Sequence, residues 1–348
     1  MLRDYQGYFV SPEMQRYYQE KRLFSLQLEI TPICNQECRF CYTHGTLRAQ
    51  MMPNAFLRRI LDDASSMSVR KIEWLGGDPL TRDDWFELMD YSKKLDLINN
   101  IWTAGDLLAD KTTAKKAMKA TEGGGLISVH FDTFDRSLYK KLHKASPKFI
   151  DAVLKGLRNL LDLGKPAEEL FHCITFTNLQ AGSDFRNSVD RLLDDFGVPT
   201  GIVPYKPAIP GFERLIPTSQ QIQEALEYKN KRIFEADIPA IPQCVSKYYC
   251  GSTAAVIAGD ALSPCSRIRT AVGKRIRDSR FKDAFEINRN QLLTTILQDH
   301  NNLSSRCQAC TLNDICWGCR SNAWYYAGDF LASDPKCWKQ AENNEKEK

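Results

Sequence analysis

Short apolar runs and helical patterns alternate along the first two thirds of the chain. In the helical stretches, apolar residues recur every three or four positions. The predicted strands cover residues 25–31, 71–75, 100–104, 126–131, 171–177 and 201–205, and the predicted helices cover 54–66, 83–95, 111–121, 146–163 and 184–195. Strands that alternate with helices form βαβ units, so we predict an α/β fold with a mostly parallel sheet.

The pattern changes after residue 218. A helix is predicted at 220–234, and eight cysteines follow it in a segment with little regular periodicity. We therefore predict five regions, which are a lead-in (1–23), a βα domain (24–218), a linking helix (219–240), a small irregular cysteine-rich domain (241–341) and a disordered tail (342–348). We expect metal, rather than a large apolar core, to hold the cysteine-rich domain together.

The bulk composition is that of a globular protein, and it narrows the function only slightly. Of 348 residues, 43% are hydrophobic and 26% are charged, with a formal net charge of +4 spread along the chain. A small, dispersed excess of positive charge argues against a nucleic-acid partner. The one hint of such a partner is the cluster Lys140, Lys141 and Lys144, which a solvated helix face explains equally well.

Cysteine is the informative residue type, since 12 cysteines exceed what packing requires. The first residues show no signal-peptide pattern, and no run approaches the roughly 18 apolar residues that a membrane span needs. We therefore expect a cytoplasmic protein without a membrane partner. In that reducing compartment, many cysteines indicate a metal protein rather than a disulfide scaffold.

The first cysteine group is Cys34-x3-Cys38-x2-Cys41, directly after the first predicted strand. Three thiolates on one loop can hold three irons of a cubane cluster and leave the fourth iron open to an external ligand. The alternatives are a zinc site completed by a fourth ligand such as His44, or cysteines that are merely buried. The position after a strand and the lack of a nearby second cysteine pair favour the cluster.

This group resembles the signature of the radical SAM superfamily, including the aromatic residues Phe40 and Tyr42 on either side of the last cysteine. At the end of the next strand, Gly76-Gly77-Asp78-Pro79 resembles the Gly-Gly-Glu-Pro motif of that family, with Asp in place of Glu. The resemblance implies a partial (β/α)6 TIM-like barrel and a 4Fe–4S cluster that binds S-adenosylmethionine (SAM). It also implies an anaerobic reaction in which SAM yields a 5′-deoxyadenosyl radical.

Further candidate residues lie at the ends of later strands. The resemblance implies SAM contacts for Tyr42, Gly76, Gly77, Asp78, Pro79, Thr103, Gly105, Ser128 and Asn178. For Thr103, Gly105, Ser128 and Asn178, a purely structural role is an equally good interpretation. Four residues are weak candidates for catalysis: His130, Asp132, Cys173 and Tyr205. For His130 a hydrogen-bonded core histidine is the competing interpretation, and for Cys173 a small core residue.

The C-terminal cysteines resemble the SPASM extension of radical SAM enzymes, which carries two auxiliary 4Fe–4S clusters. Two structural zinc sites are the alternative that the eight thiols alone leave open. The resemblance implies one ligand set of Cys244, Cys250, Cys265 and Cys319, and a second of Cys307, Cys310, Cys316 and Cys337. The last gap of the central block is one residue shorter than in the SPASM pattern, which affects the local loop geometry but not the cysteine count.

These resemblances favour an oxidoreductase that modifies a peptide or protein side chain by a thioether, a C–C crosslink or a dehydrogenation, as in the maturation of ribosomally made peptides. We expect an electron donor such as ferredoxin or flavodoxin. One alternative is a dehydrogenase or cofactor-biosynthesis enzyme whose anionic metabolite would be bound by Tyr205, Lys206, Arg267 and Arg269, although exposed Arg and Lys more often only solvate a surface. Another is a non-catalytic iron–sulfur or zinc protein. Sulfatase maturation is disfavoured because Ser266 stands where those relatives carry a catalytic Asp.

Overall fold

The computed structural model describes residues 10–234, 240–241, 245–270, 275–276, 279–289, 292 and 300–339. Cys244 and the predicted tail at 342–348 lie outside the described residues.

The described part of the chain is built on one eight-stranded sheet in the order β6-β5-β4-β3-β2-β1-β7-β8. Neighbouring strands run parallel except for β7 and β8, which are antiparallel. The strands are β1 Ser25–Glu29, β2 Lys71–Leu75, β3 Ile98–Thr103, β4 Ile127–His130, β5 Leu170–Phe176, β6 Thr200–Pro204, β7 Thr253–Ile257 and β8 Ala261–Ser263. The predicted α/β fold with a mostly parallel sheet is confirmed.

Helices connect successive strands and cover the sheet. They are α1 Pro12–Gln19, α2 Asn54–Ser66, α3 Trp85–Lys94, α4 Lys111–Ala120, α5 Arg136–Leu142, α6 Lys148–Asp162, α7 Ser183–Phe196, α8 Ser219–Phe234, α9 Lys247–Cys250, α10 Phe281–Asn288, α11 Ser305–Gln308 and α12 Arg320–Asn322, followed by a π-helical turn at Ala323–Ala327. In α6, Ile150, Val153 and Leu157 are buried while Lys155 and Arg158 face solvent. That 3.6-residue periodicity places one apolar face of the helix on the core.

The cysteine-rich segment is joined to the barrel by its own strands. β7 pairs in parallel with β1 through Thr253 to Val256, and all five of its residues are buried. Its sequence, TAAVI, is short and flanked by cysteines, so periodicity did not reveal it. The first part of the predicted cysteine-rich domain therefore extends the main sheet.

A buried ion pair reinforces this junction. Arg269 donates from Nη1 to Glu29 Oε1 at 2.8 Å and from Nη2 to Glu29 Oε2 at 3.1 Å, and both side chains are at most 1% exposed. Ala258 N also donates to Glu29 Oε2, and Arg269 donates to the carbonyls of Ser266 and Leu47. Glu29 is the last residue of β1, so the pair ties the C-terminal segment to the strand that leads into the first cysteine group.

No helix among the described residues is long and apolar enough to cross a membrane.

We expect Arg269→Met to lower the free energy of unfolding by about 3–5 kcal/mol, because it leaves the Glu29 carboxylate buried without its counter-ion. The matched control is Arg232→Met, which removes a partly exposed pair with Asp190 and Asp194 and should cost no more than about 1 kcal/mol. Thermal unfolding of the two variants under identical anaerobic conditions provides the comparison. Equal midpoints would contradict the structural weight given to the buried pair.

Candidate active site at the carboxyl edge of the sheet

A cavity of about 140 Å³ lies at the carboxyl ends of the strands. Residues of the first cysteine group form one side of it, residues at and after the ends of β2 to β6 form most of the rest, and Arg267 of the C-terminal segment completes the wall. Its wall contains Cys34, Gln36, Cys38, Phe40, Cys41, Tyr42, Leu75, Gly76, Gly77, Trp102, Thr103, Ala104, Ser128, His130, Cys173, Thr175, Tyr205, Lys206, Ala208 and Arg267. Because parallel strands end at one edge, residues far apart in sequence meet here.

The Gly-Gly segment holds the cysteine loop through main-chain contacts. Gly77 N donates to Thr31 O and Asp78 N donates to Ile33 O, both at 2.6 Å. A Cβ atom on Gly77 would lie 2.1 Å from Ile33 O, and one on Gly76 would lie 2.5 Å from Thr31 O. The glycines therefore let two backbone segments approach each other, whereas the sequence suggested close approach to a ligand.

The side chain of Asp78 joins the ends of β2 and β3 and does not line the cavity. Its Oδ2 accepts from Thr103 Oγ1 at 2.8 Å and from Ala104 N at 3.0 Å, and its Oδ1 accepts from Leu80 N at 2.9 Å. Burial raises the pKa of Asp78 to about 6, although these hydrogen bonds lower it. The structure therefore gives Asp78 a positioning role, and Pro79 is buried beside it, away from the cavity wall.

The other residues predicted to contact SAM divide into two sets. Tyr42, Thr103 and Ser128 line the cavity, and the buried Ser128 Oγ has no hydrogen-bond partner in the described part of the chain. Gly105 and Asn178 do not line it. Gly105 adopts a φ of +94° and donates its N–H to Thr103 Oγ1, and the Asn178 amide donates to Arg214 O.

The four weak candidates for catalysis lie together. His130 and Cys173 are paired residues on β4 and β5, and both line the cavity with Tyr205. Asp132 is fully buried behind them, with Oδ1 3.4 Å from His130 Nε2. Burial disfavours the charged imidazole, but the Asp132 carboxylate outweighs that effect and raises the pKa of His130 well above its usual value.

His143 is a neighbour of the cysteine loop that the sequence did not reveal. A ring nitrogen of His143, Cys38 Sγ and an Asp132 oxygen lie within 4.8 Å of one another. His143 Nε2 is 3.0 Å from Asp132 Oδ2, close enough for an ion pair but not aligned for a hydrogen bond. Burial raises the pKa of Cys38, whereas the charge of His143 lowers it. The net effect is a pKa below the usual value for a thiol. The contact arises from a bridge between Cys38 and His143, which no local pattern encodes.

Glu73 was also missed, although the sequence carried a signal for it. It is a carboxylate in the apolar strand KIEWL, 2% exposed, and it accepts hydrogen bonds from Ser25 Oγ, Asn100 Nδ2 and Trp102 Nε1. The bond from Trp102 is 2.6 Å long and fixes the indole ring on the cavity wall. A charged residue inside a buried strand requires such partners, so its position alone predicts a polar network.

A second cavity of about 150 Å³ adjoins the first. Cys250, Cys265 and Cys319 line it, together with Gln27, Phe171, Ser266 and other residues. Five residues belong to the walls of both cavities, namely Tyr42, Leu75, Trp102, Cys173 and Arg267. A largely apolar and aromatic partition therefore separates the first cysteine group from three of the C-terminal cysteines.

The other C-terminal cysteines form a group of their own. Burial, the Asp334 carboxylate and the nearby thiols of Cys307 and Cys310 together raise the pKa of Cys337 to about 12. Burial also raises the pKa of Cys316, to which Cys337 and Cys307 add. Gly318, in the shortened gap, adopts a φ of +69°, and a Cβ there would lie 2.7 Å from Asp334 Cβ.

Asp334 connects the two C-terminal cysteine groups. It is fully buried, and its Oδ2 accepts the N–H of Cys319 at 2.7 Å while its Oδ1 accepts the N–H of Lys336, next to Cys337. The Asn322 amide donates to both oxygens. The Asp334 carboxylate thus fixes the backbone at Cys319 of one predicted ligand set and next to Cys337 of the other.

The wall of the first cavity fits an iron–sulfur cluster with one open iron and a bound SAM molecule. The three thiols of the first cysteine group share that wall with Cys173, and the buried hydroxyls of Ser128 and Tyr205 have no hydrogen-bond partner among the residues that the structure describes. Buried polar atoms of this kind indicate a missing polar ligand. His44, which the sequence suggested as the fourth ligand of a zinc site, is exposed and does not line the cavity.

We expect Gly77→Ala to reduce the iron bound at the first cysteine group and the yield of 5′-deoxyadenosine by about tenfold or more, because the added Cβ would displace the backbone that leads to Cys34. Gly123→Ala is the control. Its Cβ meets no atom within 4 Å, so it should cost about 1 kcal/mol of backbone strain without affecting iron content. Iron analysis and chromatography of the nucleoside measure both effects. Normal yields from Gly77→Ala would show that the close approach is dispensable.

Comparisons with known proteins support the assignment of this cavity. Residues 28–191 match the family model described as the radical SAM superfamily. A probable GTP 3′,8-cyclase of Methanococcus maripaludis is 29% identical over 147 residues, which cover 41% of this chain and 48% of that protein. One of Methanopyrus kandleri is 27% identical over 191 residues, covering 54% and 59%. The chain spans about half the length of these curated relatives.

Two solved structures share the fold over nearly the whole chain. Streptococcus suis SuiB bound to S-adenosylmethionine gives a TM-score of 0.68 at 17% identity, covering 93% of this chain and 80% of that one. The anSMEcpe protein with bound AdoMet gives 0.66 at 17% identity, covering 92% and 96%. Residues 28–191 thus match the radical SAM superfamily, and the parallel sheet and the cysteines Cys34, Cys38 and Cys41 on the cavity wall agree with that match.

Proposed function

We propose that this enzyme is a SPASM-type radical SAM oxidoreductase that modifies a side chain of a peptide or protein. The observation that carries the proposal is the pair of adjoining cavities, one bounded by the first cysteine group and the other by C-terminal cysteines. A substrate in such a space would lie between a site of radical formation and a site that accepts an electron.

The first cavity provides the groups that a SAM-binding cluster needs. Cys34, Cys38 and Cys41 would hold three irons, and the fourth iron would bind SAM. When bound, the cluster supplies the electron that converts SAM into methionine and a 5′-deoxyadenosyl radical, which takes a hydrogen atom from the substrate.

The chain's own residues bind the nucleoside and keep water out. The Gly76–Gly77 main chain and the side chains of Thr103 and Ser128, which line the cavity, would provide polar contacts to SAM. Leu75 and Trp102 give the cavity an apolar wall, and the bond from Trp102 to Glu73 keeps the indole in one orientation. A dry, fixed wall protects a carbon radical from side reactions.

The C-terminal cysteines would hold two auxiliary clusters. One set would be Cys244, Cys250, Cys265 and Cys319, of which the last three line the second cavity. The other would be Cys307, Cys310, Cys316 and Cys337, whose thiols lie near one another. Ligation by four cysteines leaves no open iron in either cluster, which favours electron transfer over direct substrate binding. We also propose a ferredoxin or flavodoxin as the donor.

A peptide substrate is supported by the structures that this chain resembles. SuiB has been crystallised with its precursor peptide SuiA, and anSMEcpe with the peptide Cp18Cys. At the position of Ser266, sulfatase-maturating relatives carry a catalytic Asp. Because Ser266 lines the second cavity and cannot replace that Asp as a base, we do not propose sulfatase maturation. The proposed net reaction removes two hydrogens from the peptide, one as an atom taken by the radical and one as a proton, and the second electron passes to an auxiliary cluster.

A small anionic metabolite is the second candidate. The curated relatives are probable GTP 3′,8-cyclases, which favours it, and Lys206 and Arg267 on the first cavity's wall suit an anion. Those matches cover 41–54% of this chain, whereas the structural matches cover 92–93% and include the cysteine-rich part. For this reason we place the peptide first.

The cluster assignment predicts about 12 irons and 12 sulfides per chain after anaerobic reconstitution. Cys310→Ala should lose about four of each, while Cys173→Ala, which changes a cysteine outside the proposed ligand sets, should lose none. Iron and acid-labile sulfide analysis tests both. An unchanged iron count in Cys310→Ala would refute the ligand assignment, and bound zinc in its place would support the alternative of structural zinc sites.

Cys38→Ala should abolish 5′-deoxyadenosine formation while the two auxiliary clusters remain. The reaction should be run with dithionite or reduced flavodoxin, SAM, and peptides encoded by short open reading frames beside the gene. A peptide product lighter by two hydrogens supports the proposed function. Turnover of GTP with no peptide modified would favour the metabolite alternative, and 5′-deoxyadenosine formation by Cys38→Ala would contradict the radical site.

A further inference from the structure

The end of α5 packs against the first cysteine group through main-chain contacts. Cys38 forms an isolated antiparallel bridge with His143. The N–H of Arg39 donates to Leu142 O at 3.0 Å, and the N–H of Lys144 donates at 3.2 Å to the carbonyl of the residue before Cys38. These contacts fix the surface of α5 beside the loop of the first cysteine group.

The exposed side chains at this contact are basic. Lys140 and Lys141 lie on the solvent face of α5, whose opposite face is buried. Lys144 follows the helix, Arg39 lies between two cysteines of the loop, and both are exposed. None of these four cations forms an ion pair with another described residue, so folding leaves their charges available to a partner.

The chain after the last cysteine of the loop continues this surface. Ala49 N donates to Thr43 O at 3.0 Å, a contact that brings the backbone at Arg48 back to His44, and Arg48 and His44 are both exposed. Burial lowers the pKa of His44, and the charges of Arg48 and Lys144 lower it further, as cations close to one ring do.

The excess of positive charge in the chain is concentrated in these two segments. Residues 33–50 and 135–148 contain seven Lys and Arg residues against two acidic residues, Glu37 and Asp135, a net charge of +5. The whole chain carries +4, so the rest of it is close to neutral. The sequence alone showed the excess as dispersed, because the two segments are far apart along the chain. We call the exposed cations the basic surface: Arg39, Arg48, Lys140, Lys141 and Lys144.

Exposed lysines on a helix are often only solvated, so the position of this surface is what matters. Electron transfer between two proteins slows steeply with distance, and a carrier must therefore dock close to the cluster that it reduces. Because the main chain of Cys38 and Arg39 is paired with the end of α5, a protein seated on the basic surface would lie next to the first cysteine group. Flavodoxins and ferredoxins are acidic proteins, which a basic surface attracts and orients.

We propose that the basic surface is the docking site of an acidic one-electron carrier protein of the flavodoxin or ferredoxin class. The inference rests on the proposed function, which includes such a donor, and it gives the donor a place on the molecule. In the transfer, the redox group of the carrier is oxidised by one electron and the cluster bound by the first cysteine group is reduced by one. A nucleic acid fits less well, since it would require a wider basic face than these two segments provide.

The test compares two reductants on the reconstituted, SAM-loaded protein. Photochemically reduced flavodoxin, with no dithionite present, is the protein donor, and dithionite is the small donor that needs no docking surface. Lys140→Glu/Lys141→Glu should lower kcat/KM for flavodoxin in 5′-deoxyadenosine formation by about tenfold or more, because repulsion replaces attraction. The rate with dithionite should stay within about twofold, because substitutions of exposed side chains cost little stability.

Lys115→Glu/Lys116→Glu is the matched control. It reverses two charges of an adjacent, exposed pair on α4, where Lys116 Nζ lies 5.8 Å from the centre of the Phe86 ring on α3. It should leave kcat/KM for flavodoxin within about twofold. Raising the salt concentration from about 50 to about 500 mM should slow the unchanged protein toward the rate of the Lys140→Glu/Lys141→Glu variant, and should affect that variant much less.

Equal flavodoxin kinetics in the unchanged protein and Lys140→Glu/Lys141→Glu would overturn the proposal. An equal loss in the control would do so too, because only total charge would then matter. An equal loss with both reductants, repeated in the milder Lys140→Gln/Lys141→Gln, would mean that the lysines support the cluster rather than a donor. A higher KM for the peptide with dithionite as reductant would assign the surface to the substrate, and loss of binding to a mixed-sequence RNA, with flavodoxin kinetics unchanged, would assign it to a nucleic acid.

The docking site and the proposed function fail in different ways. A protein that modifies a peptide with flavodoxin as donor, at the same rate with and without the lysine pair, keeps the proposed function and rejects the docking site. A protein whose SAM cleavage depends on the lysine pair with flavodoxin but not with dithionite, and which modifies no peptide, keeps the docking site and rejects the peptide reaction.

Discussion

The ion pair between Glu29 and Arg269 determines where the two halves of the site stand. Both groups are buried, so each is stable only while the other is present, and separating them would leave two uncompensated charges in the core. Glu29 ends the strand that leads to Cys34, and Arg269 follows Cys265 by four residues. The distance between the first cysteine group and the second cavity is thereby fixed by a contact that requires precise geometry, not by apolar packing alone.

The rest of the site is arranged around that fixed distance. Trp102 and Tyr42 stand between the two cavities, and each contacts a charged group, Trp102 the carboxylate of Glu73 and Tyr42 the guanidinium groups of Arg267 and Arg269. Side chains whose orientation is set before the ligand arrives lose less entropy on binding. The partition is therefore preorganised by Glu73 and Arg269, which do not line either cavity, together with Arg267, which lines both.

The sequence predicted those parts of the fold that repeat a local pattern. The helix at Asn54–Ser66 and the strand at Lys71–Leu75 begin and end where predicted, because periodicity and flanking turn residues define them. β7 was missed since a short apolar run beside cysteines has no periodicity of its own, and its pairing with β1 depends on residues more than 200 positions away. Long-range contacts of this kind cannot be predicted from a short segment of sequence.

In the candidate site, too, the residues that follow a local sequence pattern were predicted, and those that depend on long-range contacts were not. Cysteine spacing and residues at strand ends identified most of the first wall, including Tyr42, Thr103 and Ser128. The role of Asp78 could not be predicted from its motif. The same Gly-Gly-Asp-Pro sequence would be found whether the carboxylate joins two strand ends, as it does here, or faces a ligand. His143 reaches Cys38 through a loop pairing, so only the folded chain reveals that contact.

The pairing of β7 with β1 has a consequence for how the enzyme can be divided. If the C-terminal segment were cut away, β1 would become an edge strand with a row of unpaired N–H and C=O groups, and a flat, apolar edge is a template for aggregation. The carboxylate of Glu29 would lose its partner in the same step. The part of the chain before β7 is thus not a separable module to which cysteines were added. An evolutionary change in the C-terminal segment must preserve β7, which pairs with β1.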